Sequence, residues 1–212
     1  MADAMLGENS LTFVENWPDT TEVIDSARAR STELGCEPIS SAAGAALQVL
    51  AAASAARAVV EVGTGAGVSG LWLFGGMRPE GILTTVDVEA EHQRAAKEAF
   101  AERGIATTRY RLINGSAAEV LPRLTDAAYD LVFVDADTGS NGIYHEQAVR
   151  LLRSGGVVVF YNALWQDRVA DPSARDSDAV AQRELGRAVR EDDRLLAALL
   201  PVGDGLLAAV KR

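Results

Sequence analysis

This sequence predicts an α/β fold with a mostly parallel sheet and helices on both faces, and three observations carry that expectation. From residue 58 onward, short β-rich apolar runs alternate with helical patterns, as in a parallel sheet covered by helices. The glycine-rich stretch VGTGAGVSG leaves the first run and opens a helix, where a doubly wound sheet holds its ligand. Near the C-terminus two apolar runs are joined by Gly203, Asp204 and Gly205, a hairpin signal that turns the last strand antiparallel to the others.

Taken in order, residues 1–57 read as a helical segment and 58–212 as the core of the same domain. MADAMLGENSLTFVENW has no basic region followed by an apolar core, so it does not read as a secretion signal. Pro38 separates TEVIDSARARSTELG from the Ala-rich SSAAGAALQVLAAASAA, whose composition favours a helix. The expected strands are AVVEV (58–62), LTTVDV (83–88), RYRLI (109–113), YDLVFVD (129–135) and GVVVFY (156–161). Helices are expected over VSGLWLFGGM, EAEHQRAAKEAFAERG, SAAEVLPRL and GIYHEQAVRLLRSGG, several closing on Gly. DSDAVAQRELGRAVREDD reads as an amphipathic helix capped by Ser177 or Asp178.

Composition narrows the function. The chain has 212 residues, 48% of them hydrophobic, enough for one substantial core. Lys plus Arg total 20 against 30 Asp plus Glu, a net charge of -10 that repels a nucleic-acid backbone. No run approaches the roughly 20 apolar residues of a membrane span. The lone Cys36 cannot form an intramolecular disulfide, which fits a cytoplasmic protein, and it reads as a buried thiol.

The glycine loop raises the question of which ligand it holds. Gly63, Gly65 and Gly67 permit tight turning and close approach of backbone to ligand. A G-x-G-x-x-G match at Gly65, Gly67 and Gly70 suggests a dinucleotide, but it starts two residues beyond the strand end. Glu61, at the end of the first strand, would repel a pyrophosphate and suits a ligand with positive groups. S-adenosylmethionine has two, a sulfonium and an ammonium. Asp87, closing the second strand, is placed to accept hydrogen bonds from ribose hydroxyls, a feature shared by NAD and S-adenosylmethionine.

The segments EVGTGAGVSGLWL, LTTVDVE, GSAAEVLP, YDLVFVDAD, YHEQAVRLLRSGG, DPSARD and LLPVGDGLLAAVKR together resemble the small O-methyltransferases of the catechol and caffeoyl-coenzyme A type, actinobacterial members most of all. The resemblance runs from about Pro38 to the C-terminus. It implies the Rossmann-like class I methyltransferase fold, seven strands with the last antiparallel, and a homodimer. It also implies that Ile39, Glu61, Gly63, Thr64 and Ser69 surround the methionine moiety of the cofactor, Gly65 lying in the same loop. Asp87 would then hold the ribose, Val88 and Ala117 would flank the adenine, and Asp135 would sit beside the transferred methyl.

Two departures from the family bear on catalysis. There, the counterpart of Asp135 binds a divalent metal with an Asp-Asn pair at the end of the fifth strand, whereas this chain has Tyr161-Asn162. A Lys usually follows the DAD triplet, where this chain has Thr138. Asp135 and Asn162 alone make a poor Mg²⁺ site, so no metal ligand set is expected. Asp135 is the candidate base or orienter, and Tyr161 can hydrogen-bond the acceptor or simply close the former metal pocket.

Among the remaining candidates, His145 and His92 read as solvated helix residues, Trp72 as core, and Trp165 as a wall of the acceptor pocket or a lid contact. The leading reading is transfer of a methyl group from S-adenosylmethionine to a small hydroxylated acceptor. A cofactor-binding relative without turnover and an NAD-dependent oxidoreductase stand as alternatives.

Overall fold

The apolar runs form the seven strands of one sheet in a computed structural model that describes residues 7–212. Residues 1–6, which belong to the expected helical segment and to the stretch read for a secretion signal, lie outside the described residues. In chain order the helices and strands are α1 (Glu8–Glu15), α2 (Glu22–Glu33), α3 (Ser41–Ala53), β1 (Ala58–Val62), α4 (Val68–Gly76), β2 (Ile82–Asp87), α5 (Ala90–Glu102) and β3 (Tyr110–Asn114). They continue with α6 (Ala117–Val120), β4 (Tyr129–Val134), α7 (Asn141–Leu151), β5 (Leu152–Phe160), α8 (Ser177–Glu191), β6 (Leu195–Leu200) and β7 (Leu206–Lys211).

The strand order is β3-β2-β1-β4-β5-β7-β6. Strands β1 to β5 run parallel, and β7 enters antiparallel between β5 and β6. This is the seven-stranded arrangement expected. The chain builds outward from β1 to β2 and β3, then returns to lay β4 on the other side of β1. Such a reversal leaves a crevice at the carboxyl ends of the two central strands.

Alternation along the strands sorts their side chains onto two faces. Val59, Leu131, Phe133 and Val159 join Leu47, Trp72 and Phe100 beneath α2 to α5. Val60, Val132, Val158 and Phe160 join Tyr144, Leu185 and Val189 beneath α7 and α8. Both faces of the central strands are covered, so β1, β4 and the second half of β5 are apolar nearly throughout. Glu61 interrupts that run and shares the face of Val59. Helices α3 and α4 approach so closely that a Cβ on Gly44 would stand 2.3 Å from Trp72 Nε1. Trp72 is core, as expected.

Two boundary expectations change. The helix cap is Asp176, whose carboxylate accepts from the Ala179 amide at 3.0 Å. Asp178 is occupied elsewhere, accepting from the Thr138 hydroxyl at 2.5 Å. The helix expected to run through Arg153–Gly156 stops at Leu151, because Leu152 already pairs with Tyr129 and the register then shifts. Gly155, at φ +76°, sits within that irregularity. Among the described residues no helix is long and apolar enough to cross a membrane.

Candidate active site

The loop leaving β1 turns on Gly63, which has φ +93°. A Cβ there would lie 1.9 Å from the Asp135 carbonyl oxygen, so no other residue fits. Gly65 and Gly67 follow in the left-handed region, and Gly67 caps α4. Asp87 at the end of β2 fixes this loop. Its Oδ2 accepts from the amides of Thr64 at 2.9 Å and Gly65 at 3.0 Å, while its Oδ1 accepts from the Glu89 amide at 2.8 Å.

A cavity of about 410 Å³ opens over the loop. Ile39, Gly63, Thr64, Gly65, Ser69, Asp87, Val88, Ala117 and Asp135, the expected surroundings of a cofactor, all line it. Glu61 does not. It lies behind the wall, fully buried, and neither carboxylate oxygen has a hydrogen-bond partner. Strand alternation explains the placement, since Glu61 points with Val59 toward the first turn of α4. Burial pushes its pKa up to about 7; the nearby hydroxyls of Thr85 and Ser69 oppose this, and Asp135 and Asp87 add to it.

Asp135 follows β4 directly, and its Oδ1 accepts from Asn162 Nδ2 at 3.1 Å. Burial, with Glu37 contributing, pushes its carboxyl up to about 7, so it is close to half-ionised at neutral pH. A carboxylate tuned to that range can take a proton from a hydroxyl. Three acids around a glycine cradle, one of them buried and unpartnered, form a negative seat. That seat fits a nucleoside carrying sulfonium and ammonium charges and does not fit a pyrophosphate.

Tyr161 and Asn162 separate at the end of β5. Asn162 adopts φ +55° and lines the cavity. Tyr161 turns to the α3 side, where its hydroxyl accepts from the Ser40 amide at 3.3 Å, and it does not line the cavity. The hydroxyl that was expected to meet the acceptor or to close the former metal pocket is thus turned to Ser40. Burial raises its pKa. Thr138, standing where the family carries Lys, is buried and turned to Asp178. Of the three oxygen ligands that the family uses, Asp135 and Asn162 remain, and the amide of one donates into the carboxylate of the other. Among the described residues no group of three or more His, Cys, Asp or Glu could hold a metal ion. These residues do not fit a divalent cation that needs carboxylates to offset its dehydration.

Both histidine expectations change. His92, in the first turn of α5, lines the cavity with Nδ1 3.4 Å from the Asp87 carboxylate. The first turn after an acid-tipped strand returns to the strand's carboxyl end, a signal available in the sequence. His145 is buried under α7 and α8, its Nε2 3.1 Å from Asp192 Oδ2 but off the line of a hydrogen bond. It lies away from the cavity. Cys36 is half-buried on the cavity wall and not a core thiol. Glu37 and Asp137 also line the cavity, and neither was singled out beforehand. Trp165 does line the cavity, held in a left-handed run of Trp165, Gln166 and Asp167 at φ +49°, +52° and +65°.

Known proteins match this geometry. A family model described as O-methyltransferase covers residues 21–212. A Mycobacterium tuberculosis protein bearing the provisional name O-methyltransferase is 52% identical over 205 residues, 97% of this chain and 92% of that protein. A crystal structure of a Corynebacterium glutamicum protein superimposes with a TM-score of 0.87 at 31% identity, covering 94% of each chain. An O-methyltransferase of Streptomyces achromogenes involved in tomaymycin synthesis, solved in complex with S-adenosylmethionine, gives 0.85 at 26% identity over 98% of this chain and 99% of that one.

Proposed function

This chain belongs to the O-methyltransferase family, and from that premise we propose that it methylates a hydroxyl of a small acceptor, using S-adenosylmethionine and no firmly bound divalent metal. The observation that carries the reading is the unpartnered, fully buried Glu61 behind a glycine cradle that is also faced by Asp87 and Asp135. Family membership and the solved S-adenosylmethionine complex favour this over the NAD reading.

The cofactor supplies an electrophilic methyl group; the chain supplies the seat and the base. Gly63, Thr64, Gly65, Ser69 and Ile39 line the methionine end, Glu61 stabilises positive charge from behind, Asp87 meets the ribose, and Val88 and Ala117 flank the adenine. Asp135 accepts the acceptor's proton and Asn162 fixes the carboxylate for that task. We treat Tyr161 as a positioning residue, joining the end of β5 to the Ser40 amide. Orienting the hydroxyl against the methyl group supplies much of the acceleration.

Residues 1–212 act as one methyltransferase domain in this reading. It is cytoplasmic, binds no nucleic acid or membrane, and pairs as a homodimer. Pairing is supported by α1, which buries no residue and leaves Phe13 and Trp17 exposed, and by Leu196 exposed on the edge strand β6. Light scattering at micromolar concentration tests the dimer.

Titration calorimetry with S-adenosylmethionine, followed by an acceptor screen with and without EDTA, tests the activity. Binding and EDTA-insensitive turnover are expected. No heat at high micromolar cofactor refutes the reading, and turnover abolished by EDTA refutes its metal-independent part.

A further inference from the structure

A second cavity, of about 450 Å³, lies between α8 and the β6–β7 hairpin and shares no lining residue with the first. The segment after β5 separates the two: Asn162 and Trp165 line the cofactor cavity, Ala163 and Val169 the second. The apolar part of its wall is aliphatic, with Val169, Leu199 and Leu207 the largest side chains and no aromatic ring. Gly186, inside α8, keeps the space open, since a Cβ there would meet nothing within 4 Å. A glycine in a helix interior weakens the helix. The polar side chains of the wall are Gln182, Arg183, Arg187 and Arg190, and no Asp or Glu joins them, in a chain whose net charge is -10. Arg183 is spent on the carbonyls of Arg168, Val169, Asp171 and Ala174. Arg187 makes no side-chain hydrogen bond or ion pair among the described residues, and Arg190 has only Glu191 at 3.9 Å. Gln182 is 6% exposed; its Oε1 accepts from Asn141 Nδ2 at 3.2 Å, while its amide nitrogen has no acceptor among the described residues. Donors without acceptors are unfavourable in a buried place, so a ligand that enters here has to bring oxygen.

We propose that this cavity is a second ligand site, for a medium-length aliphatic carboxylate whose oxygens accept from Gln182, Arg187 and Arg190 while its chain lies along the aliphatic wall. The ligand then supplies the acceptors and the negative charge that the wall lacks. A guanidinium and a carboxylate are both planar and pair through two parallel hydrogen bonds. A volume of this size lies within the range of small-molecule sites. Gln182 to Arg190 spans roughly 12 Å of helix, which suits a chain of about eight carbons. An amine meets like charge from both free arginines, and an alcohol leaves their charge unanswered.

The test is calorimetry on the full chain at neutral pH and low salt, with octanoate, octanol and octylamine as probes of one shape and three charges. Octanoate is expected to bind at least about tenfold more tightly than octanol, with octylamine weakest. Its affinity should be the same with and without S-adenosylhomocysteine, because the two cavities share no residue. The double change Arg187→Ala and Arg190→Ala should bring octanoate down to octanol, which keeps its affinity. Gly186→Leu puts a branched side chain into the open space and should abolish octanoate binding. Arg187 and Arg190 are exposed and Gly186 has room for a Cβ, so these variants should keep the circular dichroism of the parent. Equal binding of the three probes, tighter binding of the amine, or octanoate binding that survives Gly186→Leu overturns the proposal. So does failure of octanoate to bind the parent; if light scattering then shows Gly186→Leu altering the oligomeric state, the face belongs to a second copy of the chain.

Discussion

Replacing Glu61 by Gln keeps the shape of the side chain and removes its charge, and the consequence depends on pH. In the fold this carboxyl titrates at about 7, against an ordinary value of 4.5. Between those values the native state holds a proton that the unfolded chain has lost, so stability falls as pH rises. The contribution is intact below about pH 4.5, declines through pH 7, and is fully lost above it. At about 1.4 kcal/mol for each pH unit, the interval amounts to about 3 kcal/mol. In a chain of this length that corresponds to about 6–12 °C in melting temperature. Glu61→Gln should therefore gain about 3 kcal/mol over the parent between pH 5 and pH 8.5. The buried amide leaves its own unpaired groups, but that cost is the same at both pH values and cancels in the difference. Urea unfolding followed by tryptophan fluorescence across the range measures it. Parallel pH profiles for parent and variant would refute the argument that a buried, uncompensated charge sits behind the glycine loop. The same variant should bind S-adenosylmethionine at least about tenfold more weakly at pH 8.5, a stability–affinity trade readable by calorimetry.

Asp135→Asn should lower kcat by about 10²–10⁴-fold while leaving S-adenosylhomocysteine affinity within a few fold, and parent kcat/KM should rise with pH through about 7 as this carboxyl ionises. Gly63→Ala places a Cβ 1.9 Å from the Asp135 carbonyl oxygen, so cofactor binding should fall below detection in calorimetry even where circular dichroism shows a folded chain. Gly44→Ala drives a methyl group into the Trp72 indole and should cost about 1–3 kcal/mol in urea unfolding. Asp167→Gly relieves a left-handed residue at φ +65° and should raise stability by about 1 kcal/mol, with acceptor KM rising as the Trp165 loop loosens.

The central strands of the fold were legible because both of their faces are buried. Runs such as YDLVFVD have to be apolar on both sides, and the turns between them require Gly. Helix ends were less legible: Asp176, Ser177 and Asp178 are all capping residue types, and in the fold Asp178 is taken by Thr138 while Asp176 accepts from the Ala179 amide. The cofactor half of the site was legible for a local reason. Gly63, Thr64, Gly65 and Ser69 lie within seven residues of one strand end, and Asp87 closes the adjacent strand. The acceptor half draws on the Pro38 loop, the end of β4 and the segment after β5, which are brought together only by the sheet order.

From the sequence alone come the α/β architecture, the glycine cradle, the acids that favour a cationic cofactor, and the loss of the family's lysine and metal-binding Asp. Periodicity and charge are local properties, and a chain carries them before it folds. The tertiary structure decided where each charge stands. It put Glu61 behind the cavity wall and Asp135 in its lining, brought His92 to Asp87, and sent Tyr161 to Ser40. It also set Glu37 and Asp137, far apart in the chain, in the lining of one cavity. Burial and proximity across the sheet set those fields, and neither exists until the strands are laid side by side.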